Sequence, residues 1–162
     1  MILAVLAVSF ALSASAAPKP AAPAGECRAQ HVAKTAKLTF PDLKTIAVDV
    51  VDTPASRETG LMCRTRLKKD YGMLFVFPSE MGLNFWMKKT LVSLDIVWIG
   101  ADKKITVVHE KLKASRVDTP DDEVVTAGGA GMYVLELPAG AAGRHRLKAG
   151  DALDFSVQVP AL

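Results

Sequence analysis

Apolar and polar residues alternate with a period of two along much of the chain. Residues 45–51 set Ile46, Val48 and Val50 on one side and Ala47, Asp49 and Val51 on the other, the pattern of a half-buried strand. The same alternation recurs at 104–110 and at 153–159, where Leu153, Phe155, Val157 and Val159 are expected inside and Asp154, Ser156 and Gln158 outside. Met73-Leu74-Phe75-Val76-Phe77 is an uninterrupted apolar run closed by Pro78 and reads as a central strand. Residues 132–137 return to strand, and 38–40 form a short one. The segment 84–99 reads as two apolar strands around a short basic turn, with one carboxylate, Asp95, in the second. A charge within such a segment needs a partner, because burying it alone costs several kcal/mol.

Helical signals are few. Thr53-Pro54 supplies an N-cap followed by proline at the first helical position, and Gly60 fits the left-handed residue that stops the helix. A second short helix fits in 138–146. Between the last strands, 111–131 is long, charged and glycine-rich and reads as an exposed loop or flap. About seven short strands and one or two short helices predict a mainly β fold, a single antiparallel sandwich or partly closed barrel.

Composition narrows this reading. The 162 residues are half hydrophobic, enough for one domain, placed at 37–162. The 20 basic and 17 acidic side chains leave a net charge of +3. The basic residues are scattered, without the aromatic-interleaved patch that single-stranded nucleic acid needs, so nucleic-acid binding is not expected. Residues 1–16 form an uncharged apolar run ending in Ala14-Ser15-Ala16, the form of a signal-peptidase site, and predict a periplasmic or secreted protein. The run is short for a membrane span, so none is expected after its removal. The Ala/Pro-rich stretch that follows makes 17–36 a flexible tether carrying Cys27. In an oxidising compartment Cys27 and Cys63, the two cysteines of the chain, invite a disulfide; the alternative is two thiols.

Five ordered blocks carry a family likeness: Arg57-Glu58-Thr59-Gly60-Leu61-Met62-Cys63-Arg64, Gly72-Met73-Leu74-Phe75-Val76-Phe77, Phe85-Trp86-Met87-Lys88-Lys89-Thr90, Leu94-Asp95-Ile96 and Tyr133-Val134-Leu135-Glu136-Leu137. Together they resemble the DUF192 family, from Ile46 to about Phe155. The resemblance implies a compact, mainly β domain found in exported bacterial proteins, and no established activity. Cys63 stands where the family usually has an aromatic residue, which supports a disulfide particular to this lineage. Lys89 stands where it usually has Asn, replacing a donor and acceptor by a donor-only cation.

The candidate ligand-binding residues are Arg57, Arg64, Trp86, Lys89, Asp95 and Glu136. Strand alternation turns Asp95 and Glu136 toward apolar neighbours, and the two arginines at the helix stop are their natural partners. Three readings follow: an ion cluster fixing the helix on the sheet, a pocket for a small polar or anionic ligand near Trp86 and Asp95, or paired carboxylates of a glycoside or ester hydrolase. The favoured function is a non-catalytic binding or accessory module. Met62, Met73, Met87 and Met132 beside Trp86 raise Cu(I) handling as a further alternative, with core packing preferred for their thioethers. His31, His109 and His145 lack metal-ligand spacing; no metal, cofactor or catalytic residue is expected, and oligomeric state is left open.

Overall fold

The computed structural model describes residues 27–161; the expected signal peptide and the start of the tether lie outside them. Among the described residues seven strands form one curled sheet: β1 (Thr35–Thr39), β2 (Thr45–Val51), β3 (Tyr71–Trp86), β4 (Leu94–Ile99), β5 (Ile105–Leu112), β6 (Thr126–Pro138) and β7 (Asp154–Phe155). Their order is β5-β4-β6-β3-β2-β1-β7. Every pairing is antiparallel except β2 with β3, which is parallel. The architecture is the expected mainly β class, in its open-barrel rather than its sandwich form.

Helix α1 (Pro54–Thr59) supplies the crossover between the parallel strands β2 and β3. It begins as expected: Thr53 accepts a bond from the Ser56 amide, Ser56 accepts one from the Thr53 amide, and Pro54 opens the first turn. It stops at Gly60, whose φ of 45° is positive as predicted, although its ψ of −131° takes it outside the left-handed helical region. A Cβ there would also lie 3.2 Å from the Phe75 ring. Helix α2 (Ala141–Arg144) follows β6.

Three expectations are corrected. Residues 84–99 do not form a hairpin, because Asn84, Phe85 and Trp86 end β3 and pair with Gly128, Ala127 and Thr126 of β6. β6 runs between β3 and β4, so these two strands, close in sequence, are not partners. The expected 111–131 flap is strand from Thr126 onward. Its glycines allow close packing: a Cβ on Gly129 would lie 2.5 Å from Val107 and 2.7 Å from Trp98, so the sheet closes over that residue only when it lacks a side chain. The last strand is shorter than its alternation suggests, with Leu153 and Phe155 buried and Val159 exposed.

Each face of the sheet carries its own apolar cluster. One gathers Leu38, Val48, Val50, Leu74, Val97, Leu135, Leu137, Ala141, Ala142 and Phe155. The other gathers Val51, Leu61, Met73, Phe75, Met87, Ile96, Trp98 and Val134. The sheet is therefore covered on both faces, on one by α2 and the segment after it and on the other by loop residues such as Leu61 and Val124, which explains the nearly continuous apolar character of β4, all six of whose residues are buried.

Candidate functional site

The segment before β1 is fastened to the end of α1. Cys27 and Cys63 form a disulfide with a Cα–Cα distance of 5.3 Å, within the usual range for such bridges. Gln30 Nε2 donates to the carbonyls of Ser56 and Gly60, both at 2.9 Å, taking up acceptors that the helix end leaves open. The Cys63 amide in turn donates to Lys89 O at 2.8 Å, which links the helix stop to the 87–90 turn.

Against that turn lies a narrow cleft of about 30 Å³, lined by residues that include Arg57, Gly60, Met62, Phe75, Phe85, Trp86, Thr90 and Glu136. Phe85 meets Phe75 edge to face at 4.9 Å and Trp98 at 5.6 Å, so the aromatic wall is itself braced. Trp86 is 44% exposed and carries Lys88 over its ring at 4.9 Å. Lys88 also pairs with Asp121, and the Ser115 amide donates to Thr90 O at 2.9 Å. The 113–125 loop is thus fastened to the turn beside the cleft.

Glu136 is 6% exposed, and its Oε2 is buried without a hydrogen-bond partner. Burial pushes its carboxyl up to about 8, opposed by the charge of Arg64. The expected arginine partners are engaged elsewhere. Arg57 donates to the carbonyls of Asp52 and Val76 at 2.7 and 2.9 Å and lies over the Phe77 ring. Arg64 pairs with Asp49 at 3.0 Å, and its Nε is buried without a partner. Tyr71 also donates to Asp49, at 2.7 Å, and burial and that bond raise its phenol well above the usual range. Arg64, Asp49 and Tyr71 line a second, open groove of about 930 Å³ between residues 29–32 and 63–71.

Asp95 occupies a different environment. It is fully buried, its Oδ1 accepts from the Lys111 amide and its Oδ2 from the Ala142 amide, both at 2.8 Å. The expected pairing with an arginine is replaced by two backbone donors, one from β5 and one from the first turn of α2. Asp95 faces Leu137 across the ladder while Glu136 faces Ile96, and directly opposed residues share a face. The two acids therefore point to opposite sides of the sheet. That separates the pair on which the hydrolase reading depends.

Of the sequence-predicted residues, Arg57, Trp86 and Glu136 meet at the cleft, Arg64 lies at the neighbouring groove and Asp95 across the sheet. Lys89 is half-buried with φ of 50°. This is a conformation that Asn adopts more readily than Lys, so the backbone supplies a reason for the family's usual residue there. The methionines do not converge: Met73 and Met87 belong to one face's cluster, and Met132 packs against the other. Among the described residues no group of three His, Cys, Asp or Glu side chains is placed to hold a metal ion. His109 bonds Gly128 O at 3.0 Å, and His145 bonds Asp42 at 2.8 Å. Sequence reasoning passed over Phe85, Thr90 and Gly60 as cleft residues, although all three sit inside the motif blocks.

The chain resembles two crystal structures. One is of a candidate transcription regulator from Sinorhizobium meliloti 1021, with 32% identity over 75% of this chain and 92% of that one and a TM-score of 0.61. The other is of a protein of unknown function from Novosphingobium aromaticivorans DSM 12444, with 27% identity over 86% of this chain and 99% of that one and a TM-score of 0.62. No curated protein matches the chain. The model of the DUF192 family, described as an uncharacterized ACR, matches residues 36–155, and with that span including the helix stop, the Trp86 turn and Glu136, the chain belongs to the DUF192 family.

Proposed function

We propose that this chain is an exported, non-catalytic binding module whose site is the cleft between the end of α1 and the Phe85-Trp86 turn. The observation that carries the reading is Glu136: a buried carboxyl with an unpartnered oxygen at a cleft lined by Phe75, Phe85 and Trp86. Leaving such a group unsatisfied costs roughly 1–3 kcal/mol, more if it is charged. A ligand that bonds to it recovers part of that cost. The lining joins these aromatic side chains to polar ones, Arg57, Glu58, Thr90 and Glu136, and placed polar groups beside apolar walls are what fix a ligand's orientation in small-molecule sites; the ligand class is small and polar. The disulfide supports export, since such bonds persist in oxidising compartments. Among the described residues no helix is long and apolar enough to cross a membrane.

A thermal-shift screen of the protein beginning at Ala17, against sugars, small acids, amides and amines, tests the reading. The expected result is a stabilising compound whose effect is lost in both Trp86→Ala and Glu136→Gln. A compound that stabilises both variants as well as the parent would place binding elsewhere.

A further inference from the structure

We propose that the cleft takes a primary ammonium group, with Glu136 as its counter-ion and the aromatic side chains as its walls; this rests on the binding-module reading above and names the ligand's charge. The acid is a buried residue of the cleft lining and its Oε2 has no hydrogen-bond partner among the described residues. Phe85 and Trp86 line the same cleft, and a cation is attracted to an aromatic face as well as to a carboxylate. The space, about 30 Å³, has room for a group of water size or slightly more, and an ammonium head is of similar size.

Four ionisable groups neighbour the acid. Arg57 and Glu58 come from α1, Arg64 from the segment after it and Tyr71 from β3. Their own bonds decide what they leave to a ligand. Arg57 is spent on two backbone carbonyls and the Phe77 ring, while Arg64 gives Nη2 to Asp49, which also takes the Tyr71 hydroxyl, and keeps a buried, unpartnered Nε whose charge already acts on Glu136 without a hydrogen bond to it. Glu58 is exposed at the rim and adds negative charge there. Lys88, over Trp86, is paired with Asp121. Among the described residues no cation donates a hydrogen bond to the buried Glu136 Oε2, so an ammonium that enters the cleft and displaces the side chains enclosing that oxygen meets an unused acceptor.

Charge makes the inference testable by pH. The empty-site carboxyl is pushed up to about 8, so below that pH an ammonium must displace a proton to bind an ionised Glu136. Affinity then rises about tenfold per pH unit between 6 and 7 and levels above about 8. A neutral ligand accepting a hydrogen bond from protonated Glu136 would show the opposite trend, weakening above that pH.

The experiment follows the two indole N–H resonances by ¹H–¹⁵N NMR during titration with n-butylammonium, and separately with N-methylacetamide, at pH 6, 7 and 8. Trp98, whose indole donates to Leu83 O inside the core, is the reference for an intact fold. The expected result is a shift at Trp86 with n-butylammonium, stronger at each higher pH and absent in Glu136→Gln, while Trp98 stays in place. Trp86→Ala, read at the Thr90 amide, should weaken n-butylammonium binding at least several-fold. An unmoved Trp86, affinity falling with pH, or full binding retained by Glu136→Gln would each overturn the ammonium assignment. If N-methylacetamide alone shifts Trp86 and that shift is lost in Glu136→Gln, the charge class falls and the binding cleft stands. If neither probe moves Trp86, both fall.

Discussion

Asp95 and Glu136 lie one register step apart on adjacent strands, yet the sheet stands between their carboxyl groups. One is fully bonded by backbone amides beneath α2, and the other has an unpartnered oxygen at a cleft beneath α1's end. Two buried acids in one small domain thus have opposite consequences. The first ties loops to the sheet, and the second is a local cost that binding can offset.

For Asp95, the structural role is separable by the size of its loss. Asp95→Ala removes the acceptor for the buried amides of Lys111 and Ala142, and hydrogen bonds to a charged group are worth about 1.5–3 kcal/mol each. For the two bonds the expected destabilisation in urea unfolding is about 3–6 kcal/mol, with Asp95→Asn losing less because its amide oxygen retains one acceptor. Neither change should alter binding at the Trp86 cleft if the fold is kept.

Glu136 predicts an unusual pH profile. Its folded value, about 8, lies above the ordinary carboxylate value, so between about pH 4.5 and 8 the folded state binds more protons than the unfolded one. Stability from this group is therefore present at low pH and lost as pH rises through that window. Melting temperatures of the parent relative to Glu136→Gln should fall between pH 5 and 8. A difference that stays flat across the window would show that the acid is already ionised.

The Cys27–Cys63 bridge closes a 36-residue separation that chain-entropy arithmetic values at about 4 kcal/mol. Cys27→Ser, or reduction of the parent, should lower stability by up to that amount and free Gln30 from Ser56 and Gly60. A thiol count on protein recovered from an oxidising compartment should be zero; two thiols would contradict the bridge.

Gly129 and Gly82 form a matched pair for testing the close approach of β6 to Trp98. A Cβ at Gly129 meets Val107 and Trp98 well inside contact distance, whereas one at Gly82 meets nothing within 4 Å. Gly129→Ala should cost about 1–3 kcal/mol through overpacking and shift the Trp98 fluorescence. Gly82→Ala should leave both nearly unchanged.

How much of this was legible in the sequence depends on how local the governing rule is. The Thr53-Pro54 cap, the Gly60 stop and the alternation in β2 are decided within a few residues, and each appears where the sequence places it. The family motifs likewise mark the helix stop, the Trp86 turn and Glu136, each within its own block. The cleft joining them was not readable, because α1 and β6 are brought together by the parallel β2–β3 crossover and by β6 running beside β3.

By itself, then, the sequence determined a mainly β domain, its first helix, a cysteine pair suited to bridging, and two acids directed at apolar surroundings. Tertiary structure decided which strands neighbour one another and, with that, which side of the sheet each acid faces. Alternation specifies faces only within one strand; their parity between strands is set by long-range register. The insertion of β6 between β3 and β4 pairs Asp95 with Leu137 rather than with Glu136. One carboxylate is thereby enclosed by backbone donors, and the other is left at the cleft beside Trp86.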